Sequence, residues 1–392
     1  MKPIAILFLS LFVQHLPLSA FDQSHYPPLG TIPIILDTDM GTDIDDVGAL
    51  AIMHAFADAG VCRIIAIGVD SPEPYSACCA DAINTYYQRP DIPIGIVKNG
   101  PATPTSQFYS KPITQQFPND LKNSINNIPD AVVVYRRALA QEADSSVVIV
   151  AIGYKTIFSQ LLKSIADTIS PLNGTGLVKK KVKLWVDMGG QYPSGHEWNF
   201  YCDGAAAQYA VANWPTPVVF TGFEIGDPIK SGSTLSSMVP ASSPVRKAYE
   251  IVLGVGGSRS SWDLTAVLYA CRGLKDYWNI HGTGYNSVDN SGNNQWVEQN
   301  LPGVDHSYLV AKMSNASIGQ VLDSLLVLPP RGDPITSVAA RASSSGAIQQ
   351  SAKKASLVIP RDRRRGLVYQ RGDGVSSPKF YDIKGRMIIK GR

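Results

Sequence analysis

The stretch IPIILDTDMGTDIDDVGALA, residues 32–51, decides how this chain is read. A run of branched apolar residues ends in a turn carrying five aspartates, Asp37, Asp39, Asp43, Asp45 and Asp46, and passes into small residues with helical spacing. A short continuous apolar run bounded by turn residues reads as a strand buried on both faces. The turn therefore sits between a central strand and a helix.

The pattern repeats along the chain. Apolar segments at 32–36, 63–69, 92–97, 147–152, 182–186 and 217–221 read as strands. Segments at 47–59, 77–87, 132–142, 156–166 and 205–212 read as the helices between them. This alternation predicts an α/β fold, a mostly parallel central sheet with helices on both faces. In such sheets ligands bind beyond the carboxyl ends of the strands. The residues found there are Asp37 and Asp39, then Asp70, Gly153, and Asp187 with Gly189-Gly190. Acidic groups and glycines thus collect on one rim, where backbone can approach a ligand and converging carboxylates need a cation or a proton.

Composition bounds the rest. The 392 residues are 44% hydrophobic and 17% charged, enough apolar material for a large core. The net charge of +3 conceals a basic tail: residues 331–392 hold 14 Lys+Arg against 4 Asp+Glu, leaving an acidic body. An acidic body argues against nucleic acid as a partner. Residues 1–20 have a single Lys, an apolar run and a small-residue end, the shape of a secretory signal peptide, so export to the periplasm, cell surface or medium is expected. No later stretch is apolar enough for a membrane span. Five cysteines without C-x-x-C spacing are neither a zinc site nor a disulfide framework; most are expected as small core residues, and one pair is open to bridging. Pro329-Pro330 and the Ser/Ala-rich residues to 354 read as a linker, with strand-like pieces beyond it near 357–359 and 379–389. The expected division is a signal peptide at 1–20, one catalytic domain at 30–330, and a linker and basic tail at 331–392.

The aspartate turn admits several chemistries. Five carboxylates with Thr38 and Thr42 suit a hard cation such as calcium, which takes six to eight oxygens. Helix capping explains one or two aspartates, not five. An EF-hand needs Gly and Glu at its sixth and twelfth positions, where this chain has Thr42 and Gly48. Asp37-Thr38-Asp39 also opens like the nucleophile motif of a haloacid-dehalogenase-like phosphatase, although Gly41 stands where that motif has Thr.

The turn resembles the opening D-x-D-x-G-x-D-D motif of the inosine-uridine-preferring nucleoside hydrolases, with two extra residues before Asp45-Asp46 and Asp43 as an addition. Further segments follow in the family's order: DAINTYYQRPDIPIGIVKNG at 81–100, VAIGYKT at 150–156, Gly189-Gly190 followed by Glu197-Trp198-Asn199-Phe200 and Asp203, and Trp262-Asp263 in place of a His-Asp pair. The likeness covers residues 32–328. It implies a nucleoside hydrolase-like, Rossmann-like open sheet and a calcium ion held by Asp39, Asp46, Asp263 and the main-chain oxygen of Ile152. It also implies Asp39 as the base that takes a proton from water, and Asp45, Asp70, Glu197 and Asn199 at the ribose hydroxyls, with Asp70 replacing an Asn.

Trp262 cannot donate a proton as the family's His does, although its ring can stack on a base. His196 and His281 are candidate substitutes, His54 reads as a packed or surface histidine, and Tyr192 and Tyr285 are candidates to line a base pocket. The expected activity is hydrolysis of the N-glycosidic bond of a ribonucleoside or related N-ribosyl compound. The alternatives are a calcium-dependent nucleoside- or sugar-binding protein without turnover, and the phosphatase. A homo-oligomer is left open. Residues 379–389 resemble the final strands of type IX secretion sorting domains; a basic end that touches acidic surfaces nonspecifically is the competing reading.

Overall fold

The structure is a computed structural model that describes residues 31–100, 108–121 and 127–331, together with three short strands at 367–369, 380–382 and 387–388. The expected signal peptide, most of the linker and the 357–359 segment lie outside the described residues.

Eight strands form the central sheet, in the order Trp278–His281, His306–Ala311, Val218–Phe220, Val182–Asp187, Val147–Ala151, Ile32–Thr38, Cys62–Val69 and Ile94–Ile96. All neighbours are parallel except the first pair, which is antiparallel. Ile32–Thr38 lies inside the sheet with all seven residues buried, as an apolar run covered on both faces must be. Ile34, Ile35 and Leu36 have no exposed surface, and each such side chain contributes about 1.5–3 kcal/mol of burial. Two apolar layers result. One, between the sheet and helices Asp45–Asp58 and Trp262–Arg272, contains Leu36, Leu50 and Leu264; the other holds Tyr135, Phe158, Trp185 and Trp214.

The strands and helices expected within residues 32–221 all occur, with ends shifted by a few residues. Several elements escaped the sequence reading, among them the two-stranded sheet of Lys230–Ser231 and Arg259–Ser260, some helices, and two additions to the sheets around the rim. One is the antiparallel edge pair of the main sheet. The other is a small sheet of Ser194–His196, Asn293–Val297 and Tyr285–Val288, whose strands are short and polar and so lack an apolar run. None of the five cysteines is disulfide-bonded to another described residue, and Cys62, Cys78 and Cys79 are buried. In the tail, Leu367–Tyr369, Phe380–Asp382 and Met387–Ile388 pair antiparallel. Among the described residues no helix is long and apolar enough to cross a membrane.

Register places the site. Gly68, Asp37, Ala151, Asp187 and Phe220 are successive pairing partners, a single row across five strands at their carboxyl ends. Whatever follows that row stands on the rim: Asp39, Asp70, Ile152, Met188 and Thr221.

Candidate active site

Four carboxylates meet on this rim because two helices begin there. Asp45 and Asp46 open helix Asp45–Asp58, and Asp263 lies in the first turn of Trp262–Arg272. The two helices pack together, so both positive ends face the cluster. The Asp263 backbone N–H donates to Asp45 Oδ2 at 3.1 Å. Asp39 arrives from the strand end, where its Oδ2 accepts from the Thr42 hydroxyl at 2.5 Å. Asp46 accepts from the Thr38 hydroxyl on one oxygen, while its other oxygen is buried without a hydrogen-bond partner. Two glycines let the backbone close up. Gly41 has φ +105°, a left-handed value that suits glycine, and a Cβ on Gly153 would stand 2.6 Å from the Asp39 nitrogen.

All four acids are buried. Burial pushes Asp39 up to about 6. Asp45, Asp46 and Asp263 lie well above the carboxylate range, first through burial and then through nearby charge, that of Asp43 on Asp45, of Asp39 on Asp46 and of Asp45 on Asp263. Asp70 is likewise raised by burial and by Asp37; one of its oxygens has no partner and the other accepts from Ile157 N–H at 3.4 Å. Among the described residues no three His, Cys, Asp or Glu side chains converge in metal-ligand geometry, and the carboxylates turn instead to nearby hydroxyl and amide donors. Even so, the donor set fits a hard divalent cation. It is all oxygen, rich in carboxyl groups and desolvated, with the orphaned Asp46 oxygen inside it.

Glu197 and Asn199 stand on the same rim. Glu197 caps helix Trp198–Cys202, accepting from the N–H groups of Asn199 at 2.8 Å, Phe200 at 3.2 Å and Gly190 at 3.0 Å. Burial lifts it to about 7 against these bonds. The Asn199 amide donates to the carbonyls of Ile152 at 3.1 Å and Met188 at 3.2 Å, tying two strand-end loops together at the Ile152 oxygen. Beside Glu197 opens a pocket of about 400 Å³, lined by Gln191, His196, Glu197, Trp198, Tyr201 and Phe223.

Trp262 touches this pocket through Phe223: the ring centroids are 5.4 Å apart, and the indole N–H donates to the Phe223 carbonyl at 3.0 Å. Of the candidate histidines, His196 lines the pocket, with Nε2 3.2 Å from the Ser291 carbonyl. His281 pairs with Glu298 instead, at 3.1 Å. His54 is fully buried and stacked on Tyr87. Tyr192 is packed inside the fold and Tyr285 belongs to the small sheet, so neither lines the pocket. Asp37, the would-be phosphatase nucleophile, is unexposed and bonded to the Tyr135 hydroxyl at 2.6 Å, closed off from any ester.

Sequence reasoning missed Lys155, Arg259 and Phe223. Phe223 was open to detection, because it follows the sixth strand just as the aspartates follow the first. Lys155 and Arg259 offered no local pattern, since their partners Asp187 and Asp43 are far along the chain or outside its apolar periodicity.

Comparisons with known proteins agree with this architecture. The family model for inosine-uridine preferring nucleoside hydrolase matches residues 34–275. Among solved structures, an inosine-uridine preferring nucleoside hydrolase from Bacillus anthracis superposes with a TM-score of 0.56 at 13% identity, over 76% of this chain and 99% of that one. An inosine-guanosine nucleoside hydrolase gives 0.57 at 19%, over 75% and 98%. The type III effector XopQ, solved with adenosine diphosphate ribose, gives 0.58 at 15%, over 78% and 95%. Among curated proteins none matches. With the matched segment spanning the rim from its first strand to the helix of Asp263, the chain belongs to the inosine-uridine preferring nucleoside hydrolase family.

Proposed function

We propose that this protein is an exported, calcium-assisted hydrolase of the N-glycosidic bond of ribonucleosides or related N-ribosyl compounds. The observation that carries this reading is the meeting of Asp39, Asp45, Asp46 and Asp263 on a rim that also holds Glu197, Asn199 and an aromatic pocket. Its family and fold make the chain an N-glycosyl hydrolase.

In this reading Asp39, Asp46, Asp263 and the Ile152 carbonyl hold the ion, which when bound lowers the pKa of water. Asp39 accepts the proton of the attacking water, a role suited to a carboxylate whose burial raises its basicity. Asp45, Asp70, Glu197 and Asn199 orient the ribose, and the anionic rim stabilises the positive charge that develops on the sugar. The aromatic side chains of Trp198, Tyr201 and Phe223 offer flat apolar surface to the base. The apolar run in residues 1–20 supports export, and the resemblance of residues 379–389 to secretion sorting strands agrees with it.

The test is a panel of purine and pyrimidine ribonucleosides, assayed for free base with calcium and with chelator. Base release that disappears on chelation and returns with calcium supports the reading. Tight calcium and nucleoside binding without turnover would establish the binding-protein alternative. Secretion of the full-length chain, and its retention in the cytoplasm without residues 1–20, tests export.

A further inference from the structure

We infer that Lys155 is a positioning residue for the calcium ion proposed above: its buried ammonium anchors the strand-end loop that presents the Ile152 carbonyl. The inference deepens the calcium-assisted reading and rests on it. Ile152 directly follows the strand Val147–Ala151 and lies against the first aspartates. Its N–H donates to the Asp37 carbonyl at 2.8 Å. A Cβ on the next residue, Gly153, would stand 2.6 Å from the Asp39 nitrogen and 3.2 Å from the Asp39 Cβ. A carbonyl followed by glycine has little local restraint on its direction, because glycine leaves the backbone free. Groups outside the loop have to fix it.

Two side chains do so. The Asn199 amide donates to the Ile152 carbonyl itself at 3.1 Å and to the Met188 carbonyl at 3.2 Å. The Lys155 ammonium takes the next carbonyl in the loop, that of Gly153, at 2.6 Å, and shares the Met188 carbonyl at 3.3 Å. It also pairs with Asp187 Oδ1 at 2.7 Å. Asp187 is the register partner of Ala151, so its carboxylate stands at the end of the neighbouring strand. An ammonium has three donors and no acceptor, and here all three are engaged. The same nitrogen stands 5.7 Å from the centroid of the Phe200 ring, the residue after Asn199.

Lys155 therefore holds the loop on one side of the Ile152 carbonyl, while Asn199, fastened to the same Met188 oxygen, holds the carbonyl itself. Among the described residues Lys155 is the one Lys or Arg with no exposed surface. Burying a charge is unfavourable unless it is paired and hydrogen-bonded. A methionine would fill the space without binding either carbonyl, so what the ammonium adds at this point is direction.

The experiment titrates calcium alone into the metal-free full chain by calorimetry, for wild type, Lys155→Met and Lys155→Met/Asp187→Asn, with urea unfolding of each. Loss of a partner that orients a metal ligand typically weakens binding roughly 10–100-fold, and both variants should bind calcium that much more weakly. The double variant strands no buried charge, so it regains stability without regaining affinity. It also carries the test should Lys155→Met fail to fold. A double variant with wild-type calcium affinity would reduce Lys155 to a support of the fold and overturn the inference. A wild-type protein that binds no calcium would overturn the calcium-assisted reading itself, a result distinct from the first.

Discussion

The Lys155 ammonium lies 2.7 Å from the Asp187 carboxylate, and neither side chain has any exposed surface. The same nitrogen donates to the Gly153 carbonyl at 2.6 Å and the Met188 carbonyl at 3.3 Å. One buried cation therefore pins together the loops that follow two neighbouring strands, beneath Ile152 and Asn199. Burial disfavours its charge, but Asp187, Glu197 and Asp37 outweigh that and hold the ammonium above its ordinary range.

Removing one partner of a buried pair strands the other charge. Lys155→Met is expected to cost about 3–5 kcal/mol in urea unfolding, and Lys155→Met/Asp187→Asn to recover part of that loss. Additive losses in the double variant would show that the two groups are not coupled.

Asp39→Asn separates chemistry from stability. The variant loses the base, so kcat/KM for the best nucleoside should fall by about 10²–10⁴-fold. It also removes a carboxylate that burial already disfavours, so its thermal midpoint without metal should not drop. A variant that keeps full turnover would assign the base elsewhere.

Gly153→Ala places a methyl group where only 2.6 Å separates it from the Asp39 nitrogen. The backbone must yield, and Asp39 moves with it. Since displacements of about 1 Å can cost roughly 10²-fold, activity should fall by that order while circular dichroism shows a retained fold.

Acid lability follows from His54. Its Nε2 lies 2.9 Å from Asn84 Oδ1, and the Arg89 guanidinium stands 3.4 Å from Nδ1. Burial lowers its pKa to about 3. The unfolded chain binds this proton first as pH falls, so the stability is complete above about pH 6.5 and drains away down to about pH 3. His306, lowered by burial to about 4, acts in the same direction. His54→Gln should flatten the acid limb of stability against pH by up to about 1.4 kcal/mol per pH unit. An unchanged limb would place the lability in other groups.

Much of the site was legible before folding was considered. The apolar runs ending in Asp37, Asp70 and Asp187 located the rim, because a strand covered on both faces shows its period in every residue. Glu197, Asn199 and Asp263 were found by motif order, and each stands on the rim or at a helix start beside it. The roles of His281 and Tyr192 were not legible. One pairs with Glu298 and the other is buried, and neither fact has a local signature.

The amino-acid sequence alone determined the α/β architecture, the acidic rim and the family, since each rests on periodicity or on residue types close together in the chain. Tertiary structure alone decided which carboxylates face one another, that the Trp262 N–H is spent on Phe223, and that Asp43 belongs to Arg259 rather than to the cluster. Such pairings depend on groups brought within about 3 Å by packing from positions tens or hundreds of residues apart. Local sequence carries no trace of a contact until the sheet's register and the crossing of two helices have been set.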